Sequence, residues 1–148
     1  MTNYPALPIF VLAFTALFFK ATVLSAVQVV SRIKARTFLL PEDARLMGIS
    51  TTTPQEHPFV VRCGNVWRND LENIPFFLAA ALAFTLFGGA ASTATWIFGG
   101  FVLVRYLHTA IYLRGLHPWR AMAFLTGLVI TWSLIAATLQ LLVEGSAI

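Results

Sequence analysis

Apolar residues gather into long runs along this chain, and strongly polar ones are confined to the gaps and to a few interior positions. A membrane-crossing helix needs about 20 mostly apolar residues. The first run meets that length. It predicts a helix over about 7–32, from Leu7 to Arg32, with Pro8 in its first turn and only Lys20 and Gln28 strongly polar inside it. The longest connection, Ser31 to Pro58, holds Arg32, Lys34 and Arg36, then Pro41-Glu42-Asp43-Ala44, then a threonine-rich turn at Ser50 to Pro54. It is amphipathic at best and is expected outside the hydrocarbon.

The second helix is the least obvious. Its apolar part, Ile74 to Phe87, is too short to span alone, so the helix must begin near Phe59. A span of about 59–87 takes in Arg68, Asn69, Asp70, Glu72 and Asn73, which puts a polar cluster at the membrane boundary or just inside it. Pro75 predicts a bend, and neighbouring helices can satisfy the carbonyl it frees. Gly88 to Ser92 reads as an uncharged tight turn. A third helix follows over about 93–113, carrying Arg105 and His108, then a short turn from Arg114 to Pro118. The fourth, about 119–143, is apolar apart from Arg120 at its start and a few hydroxyl and amide groups. The expected fold class is all-α: an integral membrane four-helix bundle forming a single domain over 1–148, without internal repeats.

Composition supports the lipid setting. Charged residues make up 11% of the chain and apolar ones 58%, where a soluble domain carries about 25% charge. The net charge of +4 raises nucleic acid or anionic lipid as partners. The basic residues stand mostly at the ends of apolar segments rather than among aromatics on a soluble face, which argues against nucleic acid. They also orient the bundle. The first and third connections hold Lys34, Arg36, Arg45 and Arg114, while the second connection and both tails hold no Lys or Arg. The positive-inside rule puts those two basic connections in the cytoplasm and both termini on the opposite side. Trp67 and Trp119 near one boundary and Trp96 near the other fit an aromatic belt. The N-terminal run lacks a basic leader and is too long for a secretory signal, so a retained helix is expected. Cys63 is the sole cysteine, which rules out a disulfide within the chain and reads as a buried thiol.

Candidate chemistry comes from polar residues at helical spacing, since i, i+3, i+4 and i+7 share a face. Asn65, Arg68, Asn69 and Glu72 follow that rule on the second helix, and Arg105, His108, Thr109 and Tyr112 on the third. Ser25, Gln28 and Arg32 do so on the first, and Arg120 stands alone on the fourth. An ionised group at mid-membrane costs at least about 2.5–3.5 kcal/mol unless paired or solvated, so such groups face the bundle interior, a wet cavity or another subunit. Blander roles exist for single residues: Arg68 and Glu72 could pair with each other, and Arg32, Arg114 and Arg120 could be interfacial anchors. Anchoring does not call for His, Tyr, Asn and Glu on matching faces. Arginines outnumber acids on the stripes, which suits a ligand with more than one carboxylate or phosphate and one ammonium. His108 has no metal-ligating partner at i±3 or i±4, and no glycine-rich phosphate loop or Ser-His-Asp spacing is present.

Arg68-Asn69-Asp70-Leu71-Glu72-Asn73 with Pro75-Phe76, and Arg105-Tyr106-Leu107-His108-Thr109-Ala110-Ile111-Tyr112, resemble the helix motifs of the membrane-associated proteins in eicosanoid and glutathione metabolism. Pro5-Ala6-Leu7-Pro8, Lys20 and Pro41-Glu42-Asp43-Ala44 look most like that family's prostaglandin synthase branch, with the microsomal glutathione transferase branch as neighbour. The resemblance covers nearly the whole chain. It implies a homotrimer in membrane lipid, with glutathione bound between subunits near the cytoplasmic face and a lipophilic small molecule as second substrate. On that resemblance Arg32 and Arg68 would hold carboxylates and Glu72 the glutamyl amine. Asn69, His108 and Tyr112 would position the backbone, Arg105 would support the stripe, and Arg120 would sit by the sulfur with Asp43 as its polar partner. In the prostaglandin synthase branch a serine follows this arginine and a tyrosine stands four residues after it; here those positions are Ala121 and Phe124.

The function expected is a glutathione transferase or peroxidase acting on lipophilic electrophiles. An endoperoxide isomerase and a non-catalytic membrane scaffold, like the family's activating-protein branch, are the alternatives. The short tails without a retention signal suit a bacterial inner membrane, or the endoplasmic reticulum in a eukaryote.

Overall fold

The computed structural model describes residues 4–50, 52 and 55–145, so the threonine-rich turn expected at Ser50 to Pro54 lies partly outside the described residues. These fold into α1 (Leu7–Ala35), α2 (Pro41–Leu46), α3 (Pro58–Leu86), α4 (Ala91–Arg114) and α5 (Trp119–Gly145), with no strand among them.

Local chemistry sets the ends. Pro8, Pro41 and Pro58 stand in the first turns of α1, α2 and α3, where the missing N–H has no intrahelical role. Gly115 ends α4 in the left-handed region at φ 71°, and its N–H reaches the carbonyls of Ile111 and Tyr112. Arg36 ends α1 in the same region at φ 51°, so the helix runs on past Arg32. The short α2 is an element that the apolar pattern did not announce. It begins at Pro41 with Glu42 and Asp43 in its first turn, where negative charge favours the helix N-terminus. Pro75 lies inside α3, and the helix continues through it.

Three helices, α1, α4 and α5, are long and apolar enough to cross a membrane. The charges of α3 keep it out of that group, yet its 29 residues extend about 43 Å. Connections as short as those on either side of α4 make α3, α4 and α5 antiparallel neighbours. Helices α3 and α4 touch each other and both α1 and α5, while α1 and α5 do not meet among the described residues. The central pair is therefore α3–α4. The outer faces carry exposed Val11, Leu12 and Phe18 on α1, and Val129, Trp132 and Leu139 on α5. Such surface is stable against lipid and not against water.

The interior has two apolar clusters. The larger joins Leu17, Phe77, Phe84, Ala94, Phe98, Phe101 and Leu134. Phe77 stacks on Phe101 with centroids 3.7 Å apart and meets Phe98 edge-on at 5.8 Å. The smaller holds Leu24, Cys63 and Val66. Cys63 is a buried free thiol there. Along α1, α3 and α4, a polar layer separates the two clusters: Lys20, Asp70 and Arg105, each at most 4% exposed.

Candidate functional site

Two of the layer's three charges are cations, so the single carboxylate has to serve both. Asp70 accepts from the Lys20 ammonium through Oδ2 and from the Arg105 guanidinium through Oδ1. Nη2 of Arg105 also donates to Oδ1 of Asn69 at 2.7 Å. Pairing of this kind is what makes mid-membrane charge tolerable.

Beyond this layer, toward the end where α4 finishes and α3 and α5 begin, lies a cavity of about 470 Å³, within the range of small-molecule sites. Helix α3 contributes Asn65, Arg68, Asn69 and Glu72; α4 contributes His108 and Tyr112; α5 contributes Arg120, Ala121 and Phe124. The packing of α3 on α4 brings most of their two stripes to this one cavity. Tyr112 is a bridge. Its ring meets His108 edge-on at 5.7 Å, and Arg120 lies over it with Cζ 4.7 Å from the centroid. That cation–π contact sets the guanidinium against the ring, and its N–H groups make no hydrogen bond among the described residues.

The charged lining is unsatisfied by the protein itself. Arg68 and Glu72 do not pair, and neither they nor Arg120 have an ion-pair or hydrogen-bond partner among the described residues. Buried Nδ1 of His108 likewise has no partner. Chemically, the cavity offers two guanidiniums for anionic groups, one carboxylate for an ammonium, and amide, phenol and imidazole groups for polar backbone. No group of three or more metal-ligating side chains exists among the described residues.

Arg68, Asn69, Glu72, His108, Tyr112, Arg120 and Phe124 are thus brought together in one wall set. Arg105 stands behind that wall and touches it through Asn69. Arg32 is elsewhere in the subunit, its Nε donating to Oε1 of Glu56 at 2.7 Å. Asp43 sits in α2 and does not line the cavity. Thr109 shares the spacing of the α4 stripe, but its hydroxyl bonds the Arg105 carbonyl at 3.1 Å and it faces an apolar groove between α1 and α4.

Sequence reasoning passed over Asn65 and Ala121 as lining residues, and Asp70 as the carboxylate that Lys20 and Arg105 share. Asn65 was visible on the α3 stripe. The signal for Asp70 was the lysine itself, since a lysine amid apolar residues needs a carboxylate and only Asp70 and Glu72 lie at comparable depth.

The sequence profile of the MAPEG family matches residues 10–140. The chain is 34% identical over 121 residues to prostaglandin E synthase of Macaca fascicularis, across 81% of this chain and 79% of that protein. It is 36% identical over 107 residues to microsomal glutathione S-transferase 1 of Bos taurus, across 70% of this chain and 69% of that protein. The mouse (Mus musculus) form of that transferase is 34% identical over 124 residues, across 81% and 80%.

Proposed function

The chain belongs to the MAPEG family, and from that premise we propose that it is a glutathione-dependent membrane enzyme, a transferase or peroxidase acting on lipophilic electrophiles or hydroperoxides. It is an all-helical membrane protein. The observation that carries the reading is a cavity lined by Arg68, Glu72, Arg120 and the open Nδ1 of His108, none of which has a hydrogen-bond or ion-pair partner among the described residues, on a bundle whose outer helix faces are largely apolar. Glutathione has two carboxylates, one ammonium and a thiol. Arg68 suits a carboxylate, Glu72 the ammonium, and Arg120 the sulfur.

A thiol is a weak nucleophile until ionised, and a guanidinium beside it favours the thiolate. Held against the Tyr112 ring, Arg120 would supply that charge. The thiolate then attacks an electrophilic carbon and displaces its leaving group. With a hydroperoxide it takes the terminal oxygen and releases the alcohol, and a second glutathione completes the disulfide and water. The basic residues at this end of the bundle, Lys34, Arg36, Arg45 and Arg114, support a cytoplasmic side for the cavity through the positive-inside rule. A homotrimer would bring Arg32 and Asp43 of one subunit toward the cavity of the next.

Calorimetric titration of the detergent-solubilised protein with glutathione tests the proposal. Binding with thiolate absorbance in the ultraviolet is expected; a folded protein giving no heat at millimolar ligand overturns it. The prostaglandin E synthase relatives favour a second reading, isomerisation of a lipid endoperoxide. Ala121 and Phe124 offer that reaction no hydroxyl beside Arg120. It would require turnover that depends on glutathione without consuming it.

A further inference from the structure

The polar layer between the two apolar clusters has a feature that ion pairing alone does not need. Both oxygens of Asp70 are occupied, Oδ2 by Lys20 and Oδ1 by Nη2 of Arg105. That same Nη2 is 2.7 Å from Oδ1 of Asn69, so one nitrogen divides its two hydrogens between the carboxylate and the amide. A guanidinium has donors only. Asn69 must therefore turn its oxygen toward Arg105, which leaves Nδ2 for the other side, where Asn69 lines the cavity. Lys20, Asp70 and Arg105 are each at most 4% exposed, and neither Lys20 nor Asp70 lines this cavity, although each borders an apolar groove elsewhere on the subunit.

We infer that Asp70, braced by Lys20, is a positioning residue of the cavity: acting through Arg105, it holds the Asn69 amide with nitrogen outward, so that this wall accepts a carbonyl or carboxylate oxygen of the ligand and rejects a donor. The polarity of the wall is then set from α1, a helix that contributes no residue to it. Only the identity of the ligand rests on the glutathione reading above; the arrangement of the amide does not. A purely structural layer, pinning α1 to α3 and α4, would place the same charges together without any consequence at Asn69.

The two roles separate by experiment on the full chain in lipid nanodiscs. Asparagine is labelled with nitrogen-15, and the Asn69 side-chain signal is assigned by its loss in Asn69→Ala. The wild type should show one sharp pair of amide resonances. Asp70→Asn should broaden or split that pair as the amide samples both orientations, while Asn73, which donates to the Asn69 backbone carbonyl, stays put. Lys20→Met, which leaves Asp70 and Arg105 paired, should move the signal the same way to a lesser extent and serves if Asp70→Asn does not fold. An unchanged Asn69 signal in a folded variant overturns the inference. In parallel, Asp70→Asn should weaken glutathione binding about tenfold in the wild-type background and no more than about twofold in the Asn69→Ala background. Equal losses in both backgrounds overturn it too, since Asp70 would then act without the amide. A wild type that binds no glutathione sinks the ligand reading, and the amide signal still decides the positioning role.

Discussion

Tyr112 and Arg120 form a contact that ties the end of α4 to the start of α5, and the proposed thiolate chemistry depends on it. The guanidinium carbon is 4.7 Å from the ring centroid, close enough for an attraction of about 0.5–1 kcal/mol at an exposed arginine. Arg120→Ala should leave glutathione affinity within a few-fold, because on the proposed reading Arg68 and Glu72 would still hold the ends of the ligand. It should abolish the thiolate band and lower turnover by at least about a hundredfold, the scale of lost charge stabilisation at a reacting atom; stopped-flow absorbance reads both. Glu72 makes a separable prediction. Glu72→Gln should weaken glutathione about tenfold, as loss of a charge-assisted contact does. It should barely change the affinity of an analogue lacking the glutamyl amine. Equal weakening of both ligands would mean that Glu72 does not read the amine.

At the scale of elements, the cavity depends on how α4 ends. Gly115 sits in left-handed backbone, and a Cβ there would come within 3.1 Å of Nη1 of Arg62. Arg62 in turn donates to the Leu113 carbonyl at 3.3 Å, covering the helix terminus. Gly115→Ala should therefore cost about 1–2 kcal/mol, the left-handed penalty, seen as a lower midpoint of thermal unfolding in detergent. The hydroxyls of α5 belong to the helix rather than to a site. Thr126, Thr131, Ser133 and Thr138 each donate to the carbonyl four residues back, which is how such groups are satisfied in lipid. Helix α3 was the hardest to read from the chain, for a physical reason: its first half carries the cavity-lining charges, so its hydropathy understates its place in the bundle.

At the scale of the molecule, α1 and α5 lie on opposite sides of the α3–α4 pair. Arg32 and Asp43 are accordingly outside the cavity of their own subunit. If neighbouring subunits complete the site, co-expressing an Arg32→Ala chain with an Arg68→Ala chain should restore part of the activity missing from either variant alone. Some mixed assemblies would then pair an intact Arg32 with an intact Arg68 across an interface. Absence of any recovery in confirmed mixed trimers would place Arg32 with its Glu56 partner as a structural pair.

The spans were legible in the chain because lipid penalises charge and helical length is a local property. The stripes on α3 and α4 were legible because a period of 3.6 residues follows from backbone geometry alone. Thus Arg68, Asn69 and Glu72 group on one helix and His108 with Tyr112 on the next by spacing alone, and Arg120 with Phe124 joins them through a family resemblance. The sequence could not say which stripes meet. Ser25, Gln28 and Arg32 share a face at the same period as the others, yet none of the three lines the cavity. Nor could it couple Lys20 to Asp70 and Arg105, or aim the Asn69 amide. Those depend on the rotation of each helix about its own axis, which only packing against its neighbours decides.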